Sequence, residues 1–121
     1  MTDDAAPIRV LVVEDSDVYR DSLVFLLGTR TELDVVAAVA DGAAALRAAR
    51  EHEPDVVVLD FRLPDVDGGE VAASLEAPVV FLSASAGTDE YDAASSAGAA
   101  LVRKDEGIEA LVRAVRAAAG R

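Results

Sequence analysis

The chain has 121 residues and a mass of 12.5 kDa, the size of one domain built on a single core. Its 23 acidic and 11 basic residues leave a formal charge of -12, which makes a nucleic-acid backbone or an anionic bilayer a poor partner and a cation a good one. It has no cysteine, no export leader and no apolar run of about 18 residues; disulfides, thiolate metal sites and membrane spans are excluded, and a cytoplasmic location is expected.

In chain order, "IRVLVV" (Ile8 to Val13) is a β-branched run of the kind that forms a strand buried on both faces, and it stops at Glu14 and Asp15. Ser16 or Asp17 then caps a helix whose Tyr19, Leu23, Leu26 and Leu27 share one face, with Gly28 as its stop. "LDVVAAV" (Leu33 to Val39) predicts a second strand, Asp41-Gly42 opens a second helix through Leu46 and Ala49, and Pro54-Asp55 breaks the chain before "VVVL" (Val56 to Leu59). Gly68 and Gly69 open a short helix to Leu75, and Pro78 precedes a fourth strand, Val79 to Ser83. An Ala/Ser-rich helix spans about Asp89 to Ala97, and Ala100 to Val102 is a fifth strand. The last helix is the clearest, with Ile108, Leu111, Val112 and Val115 on one face.

Five apolar strands alternating with five helices predict an α/β domain, a doubly wound parallel sheet covered on both faces by right-handed crossovers. Periodicity leaves the strand order open. In the order 2-1-3-4-5, the first and third strands are neighbours at a topological switch point, and Glu14, Asp15 and Asp60 meet beyond their carboxyl ends. Like charges about 4 Å apart repel by roughly 4 kcal/mol at an effective dielectric near 20, so three acids in one crevice are costly unless a proton or a cation compensates them, and a divalent ion is the favoured answer. An all-oxygen donor set selects Mg2+, or Mn2+. Mg2+ takes only one or two carboxylates plus a phosphate oxygen, which leaves a carboxylate able to attack phosphorus. Ser83 and Lys104, at the ends of the fourth and fifth strands, share that sheet edge and can supply a hydroxyl donor and a fixed cation. Singly, each has a duller reading: Asp15 or Asp60 as a cap or turn former, Lys104 as a solvated side chain. The argument rests on the four strand ends together.

"VVED" (12 to 15), "DGAAAL" (41 to 46), "PDVVVLDFRLPDVDG" (54 to 68), "FLSAS" (81 to 85) and "GAALVRKD" (98 to 105) resemble, in the correct order, blocks of the receiver domain of bacterial response regulators. The resemblance to this CheY-like superfamily runs from about Ile8 to Ala118, and is to receivers of the kind found in front of helix-turn-helix output domains. It implies a flavodoxin-like (βα)5 fold of sheet order 2-1-3-4-5, with residues 1–121 forming a single receiver domain of a two-component system. It also implies that Asp60 accepts a phosphoryl group from the phosphohistidine of a sensor histidine kinase. Asp15 would bind Mg2+ directly, Glu14 mainly through water, and Arg62 through its backbone carbonyl. Ser83 would donate to a phosphoryl oxygen and Lys104 would pair with its charge. The segment from Ser83 to Gly98 would shift, and the face of the fourth helix, fifth strand and fifth helix would carry the signal, with homodimerisation as one outcome. Asp65 and Asp67 are expected to be turn and cap residues.

The departures shape further expectations. Leu101 stands where receivers usually carry a switching aromatic, and Asp105 follows the lysine where proline is common, so no cis peptide is expected there. The stretch from Gly98 to Lys104 is one residue short, which leaves Arg103 as a rival cation to the favoured Lys104. The short span from Asp60 to Ser83 predicts a reduced third helix, and Arg62 can reach over the site. Leu101 and that helix motivate an alternative, an atypical receiver working as a phosphorylation-independent interaction module. A haloacid-dehalogenase-type phosphatase, suggested by "DVDG" (65 to 68), is disfavoured because Asp65 does not end a strand. A flavodoxin-like nucleotide binder is disfavoured because "EDSDVYR" has no glycine-rich cradle. DNA binding is not assigned to these residues; an output domain is expected to be absent from this chain, which leaves open a receiver separated from one and a stand-alone receiver.

Overall fold

The computed structural model describes residues 6–84 and 88–121. Strands and helices alternate: β1 (Ile8–Val13), α1 (Asp17–Gly28), β2 (Leu33–Val39), α2 (Gly42–His52), β3 (Val56–Asp60), α3 (Gly68–Ala73), β4 (Val79–Ser83), α4 (Thr88–Ala97), β5 (Ala100–Arg103) and α5 (Ile108–Ala118). A 3-10 turn, Lys104–Glu106, joins the last two. The strands form one parallel sheet in the order β2-β1-β3-β4-β5.

Successive strand side chains point to opposite faces, and this alternation sorts the core into two layers. Val10 and Val12 of β1, Val56 and Val58 of β3, and Val80 and Leu82 of β4 pack with Leu23 and Leu27 of α1 and Leu111, Val112 and Val115 of α5. Leu11, Val13, Val57, Leu59, Val79 and Phe81 pack on the other face with Ala45 and Ala48 of α2, Val71 of α3 and Ala94 of α4. Central strands buried on both sides explain why β1 and β3 read as unbroken apolar runs.

Two details of α1 differ from the sequence reading. Leu26 is 39% exposed, because the apolar stripe narrows to Leu23 and Leu27 where the helix meets the sheet. Gly28 lies within the helix and Thr29 caps it, with its amide donating to the Leu26 and Leu27 carbonyls. The third helix is short as expected, six residues from Gly68 to Ala73. Residues 85–87, part of the segment expected to shift, lie outside the described residues.

Candidate functional site

The sheet register assembles the acids. Val13 pairs with Leu59, so the next residues along β1 and β3, Glu14 and Asp60, emerge side by side. Both continue the series of even-numbered residues that face α1 and α5, and both are buried, while Asp15 turns out to solvent. One carboxylate oxygen from each of Glu14, Asp15 and Asp60 lies within 4.8 Å of the others. Ser16, not Asp15, caps α1, its Oγ accepting the Tyr19 amide at 3.3 Å, which removes the capping role weighed for Asp15. Glu14 is fixed at both ends. Its Oε2 accepts the Ser16 amide at 3.0 Å, and its carbonyl accepts Arg20 Nη1 at 2.8 Å.

Lys104 enters from the end of β5. Its Nζ lies 2.8 Å from Glu14 Oε1 and 3.4 Å from Asp60 Oδ2, and 4.5 Å from the centroid of the Tyr19 ring, a cation–π position. Burial works against the Lys104 ammonium, but the Glu14 hydrogen bond and the Asp60 and Glu14 charges outweigh it, so its pKa lies above the ordinary lysine value. Burial likewise raises the Tyr19 phenol, with Lys104 opposing and the Glu14 and Asp60 charges adding to the rise. Arg103 points elsewhere, pairing with Asp105 at 3.0 Å in an exposed position. Of the two rival cations, Lys104 is the one that faces the acids.

The loop after β3 is built around Asp60. Its Oδ1 accepts the Arg62 amide at 3.0 Å, while Phe61 N donates to the Leu82 carbonyl at 2.9 Å and extends the pairing with β4 by one residue. The chain then returns, and Gly68 N donates to the Phe61 carbonyl at 2.9 Å. A Cβ on Gly68 would stand 2.7 Å from that oxygen and 2.9 Å from the Asp60 carbonyl, so only glycine permits the approach. Asp65 reaches across to cap α2, accepting the Gly42 and Ala43 amides at 2.8 and 3.1 Å, and Asp67 caps α3 through the Gly69 amide at 2.7 Å. The Gly42 amide, ahead of the other backbone donors, holds the Asp65 carboxyl below the usual carboxylate range. Both acids are the turn and cap residues expected.

Ser83 is buried at the end of β4, but the alternation that turns Asp60 toward α1 and α5 turns Ser83 the other way, toward α4. Its Oγ donates to Glu90 Oε1, and Arg62 Nη2 pairs with Glu90 Oε2 at 3.1 Å. The sequence alone does not single out Glu90. Its signal was faint: a glutamate one turn before Ala94, on the small-residue side of a weak helix. Among the described residues a concavity of about 600 Å3 near Leu46, Arg50, Glu53 and Leu75 holds none of these groups.

A family model of the response regulator receiver domain matches residues 10–116. The chain belongs to this family. The receiver is 37% identical over 114 residues to the "Probable transcriptional regulatory protein NarL" of Mycobacterium tuberculosis, covering 89% of this chain and 53% of that protein. It is 34% identical over 109 residues to a protein-glutamate methylesterase/protein-glutamine glutaminase of Nitrosospira multiformis, covering 84% of this chain and 31% of that protein. The receiver thus spans about half or less of these curated relatives. The solved signal receiver domain of NarL from M. tuberculosis superposes with a TM-score of 0.88 at 35% identity, covering 97% of this chain and all of that one. The fold and the two-component signalling class expected from the sequence are therefore established. No helix among the described residues is long and apolar enough to cross a membrane.

Proposed function

We propose that this receiver takes a phosphoryl group from the phosphohistidine of a sensor histidine kinase onto Asp60. In this reading Asp15, Asp60 and the Arg62 carbonyl hold Mg2+ directly, and Glu14 holds it through water. The observation that carries the proposal is the meeting of three carboxylate oxygens within 4.8 Å, one of them from a fully buried glutamate. A hard, all-oxygen donor set of this kind would suit Mg2+. When bound, Mg2+ would neutralise charge on the phosphoryl oxygens and bring them beside Asp60.

The chain's own groups account for the remaining chemistry. An Asp60 carboxylate oxygen attacks phosphorus, the P–N bond of the donor breaks, and its electron pair passes to the imidazole nitrogen. Lys104, 3.4 Å from Asp60 Oδ2, offsets the incoming negative charge, and the Tyr19 ring and Glu14 keep the ammonium in place. Ser83 turns from Glu90 to donate to a phosphoryl oxygen, and water later hydrolyses the acyl phosphate at the same site. The domain acts on itself and turns over no separate substrate. It works in the cytoplasm, and its signal leaves through the α4-β5-α5 face to an output domain outside the chain or to a second copy.

Fluorine NMR of beryllofluoride, an acyl-phosphate mimic, tests the proposal. Wild-type protein should bind it only with Mg2+, and Asp60→Asn should not bind it. Binding by Asp60→Asn, or none by wild type at saturating Mg2+, would overturn the reading.

A further inference from the structure

Among the described residues four polar side chains are buried: Glu14, Asp60, Ser83 and Glu90. Only Glu90 has no place in the chemistry above. It is 4% exposed and shares the sheet-facing side of α4 with Ala94. Its carboxylate is divided between two partners, Ser83 Oγ on Oε1 and Arg62 Nη2, at 3.1 Å, on Oε2. Arg62 is also tied to Asp60, whose Oδ1 accepts the Arg62 amide at 3.0 Å. One residue therefore joins the two acids, through its main chain to Asp60 and through its side chain to Glu90.

We propose that Glu90 couples Asp60 to α4: a phosphoryl group on Asp60 draws Ser83 and Arg62 away from Glu90, and the helix moves because its buried carboxylate loses both partners. The coupling rests on the proposed phosphorylation of Asp60. A phosphoryl group carries about -1.5 to -2 charge and three strong acceptor oxygens, so it outcompetes a single carboxylate for a hydroxyl and a guanidinium. The Arg62 side chain is 81% exposed and free to turn without disturbing the core. A buried carboxylate without a cation is far costlier than a solvated one, so Glu90 is driven toward water, and as a residue on the sheet-facing side of α4 it draws the helix with it. Leu101, the residue at the usual aromatic position, has no polar group with which to register a charge. Glu90 does.

Hydrogen exchange of peptides spanning α4 in the full chain, with and without Mg2+ and beryllofluoride, tests the coupling. In wild type, exchange in α4 should rise about two- to fivefold on addition of the mimic. Glu90→Gln keeps an oxygen for Ser83 but has no charge to strand; it should still bind beryllofluoride, by fluorine NMR, and lose most of that rise. Arg62→Ala, a change at an exposed side chain that leaves Ser83 on Glu90, should raise α4 exchange in the ligand-free protein, by less than the mimic raises it in wild type. A wild-type response in Glu90→Gln with the mimic bound, or unchanged α4 exchange in free Arg62→Ala, would overturn the proposal. If wild type gives no fluorine signal for the bound mimic, the phosphorylation reading fails and the coupling falls with it.

Discussion

The Lys104 ammonium lies 2.8 Å from the buried Glu14 Oε1, so one partly exposed cation compensates an acid fully withdrawn from water. Breaking a fully buried pair costs about 3–5 kcal/mol; with Lys104 partly solvated, about 2 kcal/mol is expected for Lys104→Met. Urea unfolding in EDTA checks this, and added Mg2+ should recover part of the loss. Arg103→Ala, which removes only an exposed pair, should change stability by less than about 0.5 kcal/mol.

Asp15 adds a third negative charge to this cluster from an exposed position. Two charges about 4 Å apart repel by roughly 4 kcal/mol at a dielectric of 20, and solvent screening at Asp15 reduces that to the order of 1 kcal/mol. Asp15→Asn should therefore unfold at higher urea than wild type in EDTA. Saturating Mg2+ should close or reverse the gap, because the variant has lost a ligand. A gap that Mg2+ leaves unchanged would count against a shared ion.

Gly68→Ala places a methyl group 2.7 Å from the Phe61 carbonyl and 2.9 Å from that of Asp60. Neither backbone oxygen can yield without displacing the end of β3. A loss of about 1–3 kcal/mol is expected, as for other overpacked sites, together with slower phosphoryl uptake. Urea unfolding and a time course of uptake measure the two effects separately.

Asp65 caps α2 from the loop that follows Asp60, and its folded pKa lies below the usual carboxylate value because the Gly42 amide, then Ala43 and neighbouring backbone groups, favour the ionised form. The sign follows from linkage: the charged cap adds stability above about pH 4 and loses it as pH falls through the lower, folded value. Asp65→Asn should therefore melt below wild type at about pH 7, and the difference should shrink toward about pH 3. A difference independent of pH would show that charge is not what the cap contributes.

Much of this was legible in the sequence because parallel strands buried on both faces leave unbroken apolar runs, and those runs end where charge begins. Ile8–Val13 and Val79–Ser83 were readable to the residue, and Asp60 proved to be the last residue of β3. Strand order was not readable from periodicity, since a residue such as Val13 carries no local trace of its partner Leu59. Resemblance to receivers supplied that order. The direction of Ser83 was latent in the period-two alternation from Val79 and Phe81, but its partner Glu90 sits across a crossover in a helix with little apolar signal of its own. The spacing puts Tyr19 on one face of α1 with Leu23, Leu26 and Leu27, whereas its contact with Lys104 depends on how the end of β5 meets that helix.

Phosphoramidate carries the P–N bond of phosphohistidine without the kinase, so it tests most directly whether the three strand ends form a phosphoryl-accepting site. Incubation with phosphoramidate and Mg2+, followed by peptide mass spectrometry, should find one phosphoryl group on Asp60, released by hydroxylamine and absent in EDTA or in Asp60→Asn. No uptake, uptake undiminished by EDTA, or phosphate on another residue would contradict the account.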